Sequence, residues 1–385
     1  MRADLAQRLQ SWLFDECLPF WIAHAWDDAR GGFVEEFLQD GADAGLPQKR
    51  LRVAPRQIYV FSHAALLGAP NAAPLIAKGA QWLIDKGWMA DKGAFAHRLT
   101  RDGAIADPTI DLYDHAFVMY GFAWAYAATG EPGYREWLGR ALDAIERHLA
   151  APGAGFLSNP GTVSTRDQNP HMHLLEAALA AYEATADVRY RDVARSLVAL
   201  ARQSIIRVSD GALFEHFDAQ WRPADGAAGR RVEPGHQFEW IWLLHQAEAA
   251  LDIDCDAEIS ALARAAAGGV NPVTGFVYNA IDVDGGLIDG ASRSWTQTER
   301  LKAGVALMER GDAAATEAGE AAFEGSALAL LDGHLARREG LAKGLWIELF
   351  DAAGTPQSKT APASIVYHLM LAIAEATRWR AELRA

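Results

Sequence analysis

The sequence predicts an all-α protein folded as an (α/α)6 barrel, in which six outer and six inner helices close into a ring, with short β-hairpins in the loops. Three observations lead to this fold. Apolar residues recur at helical spacing through most of the 385 residues, a short glycine-aromatic segment returns six times, and amphipathic helices alternate with helices that are apolar nearly all round. Because closed barrels of this length often form one domain, we expect residues 1–385 to be a single domain.

The repeated unit is visible in the glycine-aromatic segments, which have strand or hairpin character. The segments are GGFVEEF from Gly31, GAFAHRL from Gly93, GFLSNP from Gly155, GALFEHFD from Gly211, GFVYNAID from Gly275 and GLWIELFD from Gly344. Their aromatic anchors are Phe33, Phe95, Phe156, Phe214, Phe276 and Trp346. Successive anchors lie 58 to 70 residues apart, which indicates one two-helix unit used six times.

Twelve helices follow from the apolar spacing. Their predicted spans are 3–25, 53–68, 71–87, 108–129, 131–150, 170–186, 188–205, 234–251, 256–268, 292–309, 313–338 and 361–383. Odd-numbered helices such as 131–150 carry charge on one face, as expected of an outer ring in contact with water. Helices 108–129 and 234–251 are apolar nearly all round after a polar start, as expected of an inner ring. An open α-solenoid is the structural alternative, although it would expose its end units to water.

Composition limits the possible partners. The charges sum to 36 − 50 = −14 without any Lys/Arg-rich block, which argues against a nucleic-acid or anionic-membrane partner. The chain starts with an amphipathic helix that lacks an apolar signal core, and no run approaches the roughly 18 apolar residues of a membrane span. Cys17 and Cys255 both lie in apolar helical patterns, so we expect no disulfide. These features favour a cytoplasmic monomer or homodimer that acts on a small, neutral molecule.

Unusual polar residues lie on the even-numbered helices, mostly in the first half of each. They are Arg56 on the second helix, Tyr113, Asp114 and His115 on the fourth, Asn169 and His173 on the sixth, His236 and Glu239 on the eighth, Trp295 and Glu299 on the tenth, and His368 on the twelfth. The inner helices of such a ring run parallel, so these groups should gather at one mouth of the barrel. The sequence therefore predicts a pocket built from widely separated residues.

The histidines also have an ordinary structural explanation. A single His in an apolar helix is more often a hydrogen-bonded structural residue, and only the shared position of several favours chemistry. His171 and His173 lie two residues apart and do not share a helix face, so we expect no joint metal ligation. His236 and Glu239 lie three apart and do share a face, which suits a metal-ligand pair or, as we prefer, a carboxylate that orients an imidazole.

The other candidates are charged or aromatic. Arg56 has apolar neighbours and needs an anionic or oxygen-rich partner, for which a cluster of sugar hydroxyls would serve. Asp111 is interpreted as a helix cap, whereas Asp114 is an equal candidate for capping and for chemistry. Most of the 13 Trp residues belong to the core, but Trp295 and Trp346 are candidates for stacking on a sugar ring.

Taken together, these segments resemble the N-acylglucosamine 2-epimerase superfamily over nearly the whole chain. The resemblance rests on RQIYVFSH at 56–63, DLYDHAF at 111–117, NPHMHLLEA at 169–177, EPGHQFEW at 233–240, WTQTE at 295–299 and ASIVYHL at 363–369. It implies reaction through an open-chain monosaccharide and a cis-enediolate, without a metal or other cofactor. The catalytic residues that it implies are Arg56, His173, His236 and His368, assisted by Glu239 and Glu299.

The implied chemistry fits these residue types. Removing the C2 proton, beside the C1 carbonyl, needs a base poised near neutral pH, and imidazole is such a base. We expect His236, oriented by Glu239, and His368 to be the acid/base pair. His173 would help ring opening, and Arg56 would stabilise the enediolate. The residues expected to contact substrate are Tyr113, Asp114, Asn169, Trp295, Glu299 and Trp346.

His236 and His368 could act as the acid/base pair in either of two reactions. An isomerase returns the proton to C1 from the same face, whereas a 2-epimerase returns it to C2 from the opposite face. The segments NPHMHLLEA and LYDHAF are most similar to the mannose isomerase or mannose-6-phosphate isomerase-like branch, so we expect interconversion of D-mannose and D-fructose. The alternatives are a 2-epimerase of the mannose/glucose, N-acylglucosamine or cellobiose type, and a mannose-6-phosphate isomerase.

Three further alternatives stay open. Several relatives carry Trp one helical turn before the matching Arg, and this chain has Arg52, which would suit a phosphorylated sugar, although an exposed Arg in KRLR is the preferred interpretation. An (α/α)6 glycoside hydrolase would use two carboxylates, for which Asp114 and Glu239 are candidates. A non-catalytic sugar-binding or protein-binding barrel is the third.

Overall fold

The computed structural model describes residues 1–382 and confirms the all-α barrel; residue 383 of the predicted last helix lies outside the described residues. The helices are α1 Arg2–Trp12, continued by Leu13–Cys17 and Leu18–His24, α2 Val53–Leu66, α3 Ala73–Gly87, α4 Leu112–Thr129, α5 Pro132–His148, α6 Gln168–Thr185, α7 Val188–Leu200, continued by Ala201–Ile205, α8 Pro234–Leu251, α9 Asp256–Ala267, α10 Ser294–Glu309, α11 Ala313–Leu328, continued by Ala329–His334, and α12 Val366–Glu382. None of the helices within residues 1–382 is long and apolar enough to cross a bilayer.

The even-numbered helices form a closed inner ring. Each contacts the next, from α2 through α4, α6, α8 and α10 to α12, and α12 packs against α2. In the outer layer α1 packs against α11 and against α12, so the first unit meets the last. An open solenoid has no contact between its two ends, so the closed ring rules out that alternative.

Burial differs between the two layers as predicted. On the inner helix α4, Phe117 and Phe122 point to different faces and both are buried. The outer helix α5 instead buries one stripe through Leu138, Leu142 and Ile145. One apolar cluster extends through the barrel, and both cysteines are free and buried within it.

The inner helices begin where the local sequence satisfies their first N–H groups. Asp111 caps α4, because its Oδ1 accepts a hydrogen bond from the Asp114 N–H at 3.0 Å. Pro234 is the first residue of α8, a position at which a backbone N–H would have no acceptor within the helix. The predicted starts of the fourth and twelfth helices, at 108 and 361, were too early. The chain is extended up to the Asp111 cap, and the residues before α12 form a strand and a 3₁₀ turn.

Short antiparallel strands cover the mouth of the barrel. They are β1 Glu36–Leu38, β2 Gln48–Arg50, β3 Trp88–Met89, β4 Ala94–Phe95, β5 Arg98–Thr100, β6 Ile105–Asp107, β7 Thr165–Asp167, β8 Ile206–Arg207, β9 Ala212–Leu213, β10 His216–Asp218, β11 Arg231–Val232, β12 Ala280–Asp282, β13 Leu287–Asp289, β14 Ser292–Arg293, β15 Leu349–Phe350 and β16 Thr360–Pro362. The pairs β3–β4, β5–β6, β8–β9 and β12–β13 are local hairpins.

Other strand pairs join loops of different units, which the sequence did not predict. These pairs are β2–β5, β7–β10, β11–β12, β14–β15 and β1–β16. The last of them pairs Phe37 with Ala361 and so links the first loop to the last. The strands form a collar around the first turns of the inner helices, and this collar brings loop side chains to the same cavity as helix side chains.

Candidate active site

A cavity of about 330 Å³ opens where the inner helices begin, within the usual size range of small-molecule pockets, about 300–1,000 Å³. Eight of the eleven residues predicted for the site line it, and they come from all six inner helices. They are Arg56, Tyr113, Asn169, His173, His236, Glu239, Trp295 and His368. The structure thus brings together most of the predicted residues, while their roles stay predictions.

Each of the three cavity histidines has a carboxylate beside its Nδ1 atom. The contacts are His173 to Glu176 at 3.1 Å, His236 to Glu215 at 3.0 Å and His368 to Glu299 at 2.8 Å. Because Nδ1–H donates to the carboxylate, Nε2 is the ring nitrogen that remains for a ligand. The site therefore repeats one arrangement three times, with a carboxylate fixing the tautomer of each imidazole.

The carboxylate that orients His236 is Glu215, which corrects the prediction of Glu239. Both Glu215 oxygens lie within 3.1 Å of His236 Nδ1. Burial opposes a charge on His236, but the charge and hydrogen bond of Glu215 outweigh it and raise the pKa of the imidazole to about 10. His236 is therefore an imidazolium at neutral pH. The carboxylate of Glu239 instead lies 3.8 Å from His173 Nδ1.

The other two histidines are neutral. Burial lowers the pKa of His368 well below its usual value, and the positive charges of Arg56 and Lys302 lower it further. Burial also lowers the pKa of His173, to about 4, against the raising effect of its hydrogen bond to Glu176. Tyr367 donates a second hydrogen bond to Glu176 and holds that carboxylate in place. At neutral pH the cavity thus contains two imidazole bases and one imidazolium acid.

Arg56 presents a positive charge that no carboxylate neutralises. Its guanidinium donates to the Ser364 carbonyl at 2.9 Å and to the Tyr113 hydroxyl at 2.6 Å, and it lies 3.9 Å from the centre of the Phe117 ring. No acidic side chain of residues 1–381 lies within ion-pairing distance of it, and its buried Nε donates no hydrogen bond there. A fixed, unpaired charge on a buried side chain favours an anionic oxygen beside it.

A group of buried charges lies beneath the cavity. Lys302 Nζ is 2.7 Å from Glu299 Oε2, and both side chains are fully buried. Burial raises the pKa of Glu239 well above its usual range, and the charge of Glu299 adds to this. Burial also raises the pKa of Glu299, and the charge and hydrogen bond of Lys302 oppose that rise.

Two sets of these side chains bring potential metal ligands within 4.8 Å of one another. They are His173 with Glu176 and Glu239, and Glu239 with Glu299 and His368. In each set the histidine already donates Nδ1–H to a carboxylate of the same set, and Lys302 supplies a positive charge next to them. A divalent cation would have to break these contacts, so metal independence stays our expectation, and the experiment proposed below tests it.

Replacing Lys302 with Met is expected to destabilise the fold by about 3–5 kcal/mol, the usual result of leaving a buried charge without its partner. The charge left behind is that of Glu299, which is completely buried. Urea unfolding followed by tryptophan fluorescence measures the change. Lys302→Met combined with Glu299→Gln removes both charges and should recover part of the loss. Equal stability of the single variant and the wild type would contradict this account.

Asp114 and Trp346, both predicted to contact substrate, do not line the cavity. Asp114 is fully buried, and its two oxygens accept hydrogen bonds from Arg52 at 2.7 Å and from His97 at 2.6 Å. Arg52 is thus neither the exposed residue nor the free cation that the sequence suggested. Trp346 is also buried and donates its Nε1–H to Glu348. Glu299 likewise lies behind His368 rather than at the cavity surface.

His115 and His171 are structural residues. Nε2 of His115 accepts the Phe95 N–H at 3.1 Å, and Nε2 of His171 accepts the Phe156 N–H at 2.9 Å. Each ring thereby ties a glycine-aromatic segment to the start of an inner helix. This explains the H-x-H of His171 and His173 without a shared metal, because only His173 lines the cavity.

Sequence reasoning missed several residues of the site. Glu215 and Glu348 lie within two of the glycine-aromatic segments, GALFEHFD and GLWIELFD, and each follows the first glycine of its segment by four residues. That shared carboxylate was a usable signal. Lys302 was detectable as a lone charge in the apolar stretch LKAGVALM of an inner helix. Glu176 follows His173 by three residues, the same spacing that drew attention to Glu239 after His236.

Comparisons with known proteins identify the family of the chain. The family model described as N-acylglucosamine 2-epimerase (GlcNAc 2-epimerase) matches residues 31–372. Mannose-6-phosphate isomerase of Rhizobium meliloti (strain 1021) is 34% identical over 383 residues, which are 96% of this chain and 96% of the relative. D-mannose isomerase of Thermobifida fusca is 30% identical over 294 residues, which are 70% of this chain and 72% of the relative.

The solved structure of cellobiose 2-epimerase from Spirochaeta thermophila DSM 6192 has the same fold. It matches with a TM-score of 0.85 at 23% identity, over 100% of this chain and 98% of that chain. The family model covers most of the sequence, and the relatives named above are isomerases and epimerases of sugars. The chain therefore belongs to the N-acylglucosamine 2-epimerase family and is a sugar isomerase or epimerase.

Proposed function

We propose that the protein is a metal-independent aldose–ketose isomerase that interconverts D-mannose and D-fructose. The observation that carries the proposal is the difference in charge between two histidines of one cavity, since Glu215 holds His236 as an imidazolium while His368 is neutral. Proton transfer beside a carbonyl needs one base and one acid. Both rings pack against Trp295, at 5.1 and 5.8 Å between ring centroids, so both reach the same bound sugar.

In the proposed reaction, Nε2 of His368 takes the proton from C2 of the open-chain aldose. His236 gives its Nε2 proton to O1, and the product of these two transfers is the cis-enediol. Arg56 stabilises the negative charge that develops on the sugar oxygens during the transfer. His236 then takes the proton from O2, and His368 returns its proton to C1, which yields the ketose and restores both rings.

A 2-epimerase is the second candidate, and the charge on His236 is the observation that favours it. An acid that is already protonated can deliver its proton to C2 from the face opposite His368. Relatives of both kinds are known, since the printed names include D-mannose isomerase and cellobiose 2-epimerase. The Rhizobium meliloti relative, which aligns with 96% of this chain, is named mannose-6-phosphate isomerase. Mannose-6-phosphate is therefore the alternative substrate of the isomerase.

The test is incubation of the EDTA-treated protein in D2O with D-mannose and, separately, with its 6-phosphate, followed by NMR. We expect fructose with deuterium at C1 and recovered mannose with deuterium at C2, because protons on His368 exchange with solvent. A His368→Asn variant is the control and should give neither product.

Each other outcome excludes part of the proposal. Glucose as the main early product would make the protein a 2-epimerase, and turnover of the phosphate ester alone would change the substrate. Activity that is lost with EDTA and restored by a divalent cation would reject metal independence. Unchanged sugars in both incubations would reject the substrate assignment.

A further inference from the structure

Glu348 is a carboxyl group of the cavity that the proposed reaction has not used. It lies between Trp346 and strand β15, lines the cavity with His236 and His368, and is 8% exposed. Its backbone is fixed on both sides, because its N–H donates to Ser358 Oγ at 2.8 Å and its carbonyl accepts the Ser294 N–H at 3.0 Å. The carboxyl group is therefore held rigidly at the cavity wall.

The two oxygens of this carboxyl group are in different environments. Oε2 accepts a hydrogen bond from Ser294 Oγ at 2.5 Å and another from Trp346 Nε1 at 2.9 Å. The Trp N–H can only donate, so Oε2 has to act as an acceptor. No side chain or backbone group of residues 1–381 forms a hydrogen bond with Oε1, and Oε1 is not among their buried unpaired atoms. When Glu348 binds a proton, that proton therefore sits on Oε1, the oxygen left for a ligand.

The surroundings keep Glu348 close to its titration point. Burial raises the pKa of this carboxyl group to about 7, against the lowering effect of the hydrogen bonds from Ser294 and Trp346. Two charged side chains from neighbouring strands also act on it, Arg293 of β14, which lowers the pKa, and Glu36 of β1, which raises it. At neutral pH a large share of the molecules carries the acid form, which suits a general acid.

We propose that Glu348 is the acid that opens the sugar ring. This inference rests on the proposed function, which needs an open-chain aldose. The Oε1 proton passes to the ring oxygen O5 as the C1–O5 bond breaks. The O1 hydroxyl gives its proton to Nε2 of the neutral His173 as the C1=O1 bond forms. Glu348 ends as a carboxylate and His173 as an imidazolium, and ring closure of the product reverses both transfers.

Ring opening is measurable without isomerisation, because it exchanges the two anomers of mannose. NMR exchange spectroscopy on D-mannose gives the anomer exchange rate with and without protein. We expect the wild type to accelerate this exchange and Glu348→Gln to lose about 10²-fold of the acceleration, since an amide cannot transfer a proton. His368→Asn is the matched control and should keep anomer exchange while losing deuterium uptake at C2.

The dependence of anomer exchange on pH separates a chemical role from a structural one. In the wild type, exchange should fall above pH about 7, where Glu348 loses its proton. Ser294→Ala removes a hydrogen-bond donor that stabilises the carboxylate, so the decrease in exchange rate should move to higher pH. Glu36→Gln removes a negative charge near Glu348, so the decrease in exchange rate should move to lower pH. A merely structural role predicts no opposite shifts in these two variants.

Three results would overturn the proposal. The first is a wild type that does not accelerate anomer exchange, and the second is a Glu348→Gln variant that exchanges anomers as fast as the wild type. The third is an exchange rate that decreases at the same pH in Ser294→Ala and in Glu36→Gln. Each can occur whether or not mannose is converted to fructose. Failure of the ring-opening role is therefore distinguishable from failure of the proposed isomerase activity.

Discussion

Replacing His368 with Asn is expected to lower the rate of deuterium uptake at C2 of mannose by about 10²- to 10⁴-fold, the range that a positioned acid or base contributes. His368 is neutral at neutral pH because burial and the charges of Arg56 and Lys302 lower its pKa. Its Nδ1 lies 2.8 Å from Glu299, so Nε2 is the basic atom. Asparagine keeps an N–H near the position of Nδ1 but has no basic nitrogen.

The result has to be separated from a loss of structure. Because Asn can still donate to Glu299, we expect the thermal unfolding midpoint of His368→Asn to stay close to that of the wild type. Binding of mannose, measured by calorimetry, should also persist. A variant that unfolds normally, binds mannose and still exchanges the C2 proton at the wild-type rate would show that His368 is not the base.

The inner-helix half of the site was predictable because helical position is encoded in local sequence. Arg56, Asn169 and Trp295 each lie at the polar start of an otherwise apolar helix. Once six such helices close into a ring, their first turns must share one mouth. Geometry of this kind depends on periodicity alone, which a single sequence shows directly.

The collar half of the site was less predictable, since pairing of very short strands across distant loops leaves no local pattern. Glu215 reaches His236 because β10 pairs with β7 beside the start of α6. Glu348 reaches the cavity because β15 pairs with β14 just before α10. Asp114 is a residue that the sequence placed in the cavity and the structure does not. Its position on an inner helix predicted a cavity residue, but Arg52 and His97 bind both of its oxygens.

The charge states were also beyond sequence reasoning. His236 and His368 are the same residue type in similar positions, yet their pKa values move in opposite directions. The difference comes from what lies around each ring after folding. Several carboxylates act on His236, whereas Arg56 and Lys302 act on His368. Assigning the acid and the base therefore requires the three-dimensional structure.

Replacing Glu215 with Gln is expected to lower isomerase activity by about 10²-fold at pH 8, because the acid form of His236 is lost. The negative charge and hydrogen bond of Glu215 hold the pKa of His236 at about 10 against the effect of burial. Without them burial dominates, and the pKa falls. A smaller share of His236 then carries the Nε2 proton at pH 8, and this share grows as the pH is lowered. Activity of Glu215→Gln should therefore rise as the pH falls from 8 to 6.

Glu239→Gln is the matched control, because burial raises the pKa of the Glu239 carboxyl well above its usual range and so disfavours its charge. Its amide replacement should change the charge of His236 much less, so the variant should not gain relative activity at lower pH. Histidine resonances in NMR spectra recorded across this range report the His236 pKa directly. If that pKa stays near 10 in Glu215→Gln, or if Glu239→Gln lowers it more, then Glu239 is the residue that holds the imidazolium, as the sequence alone had suggested.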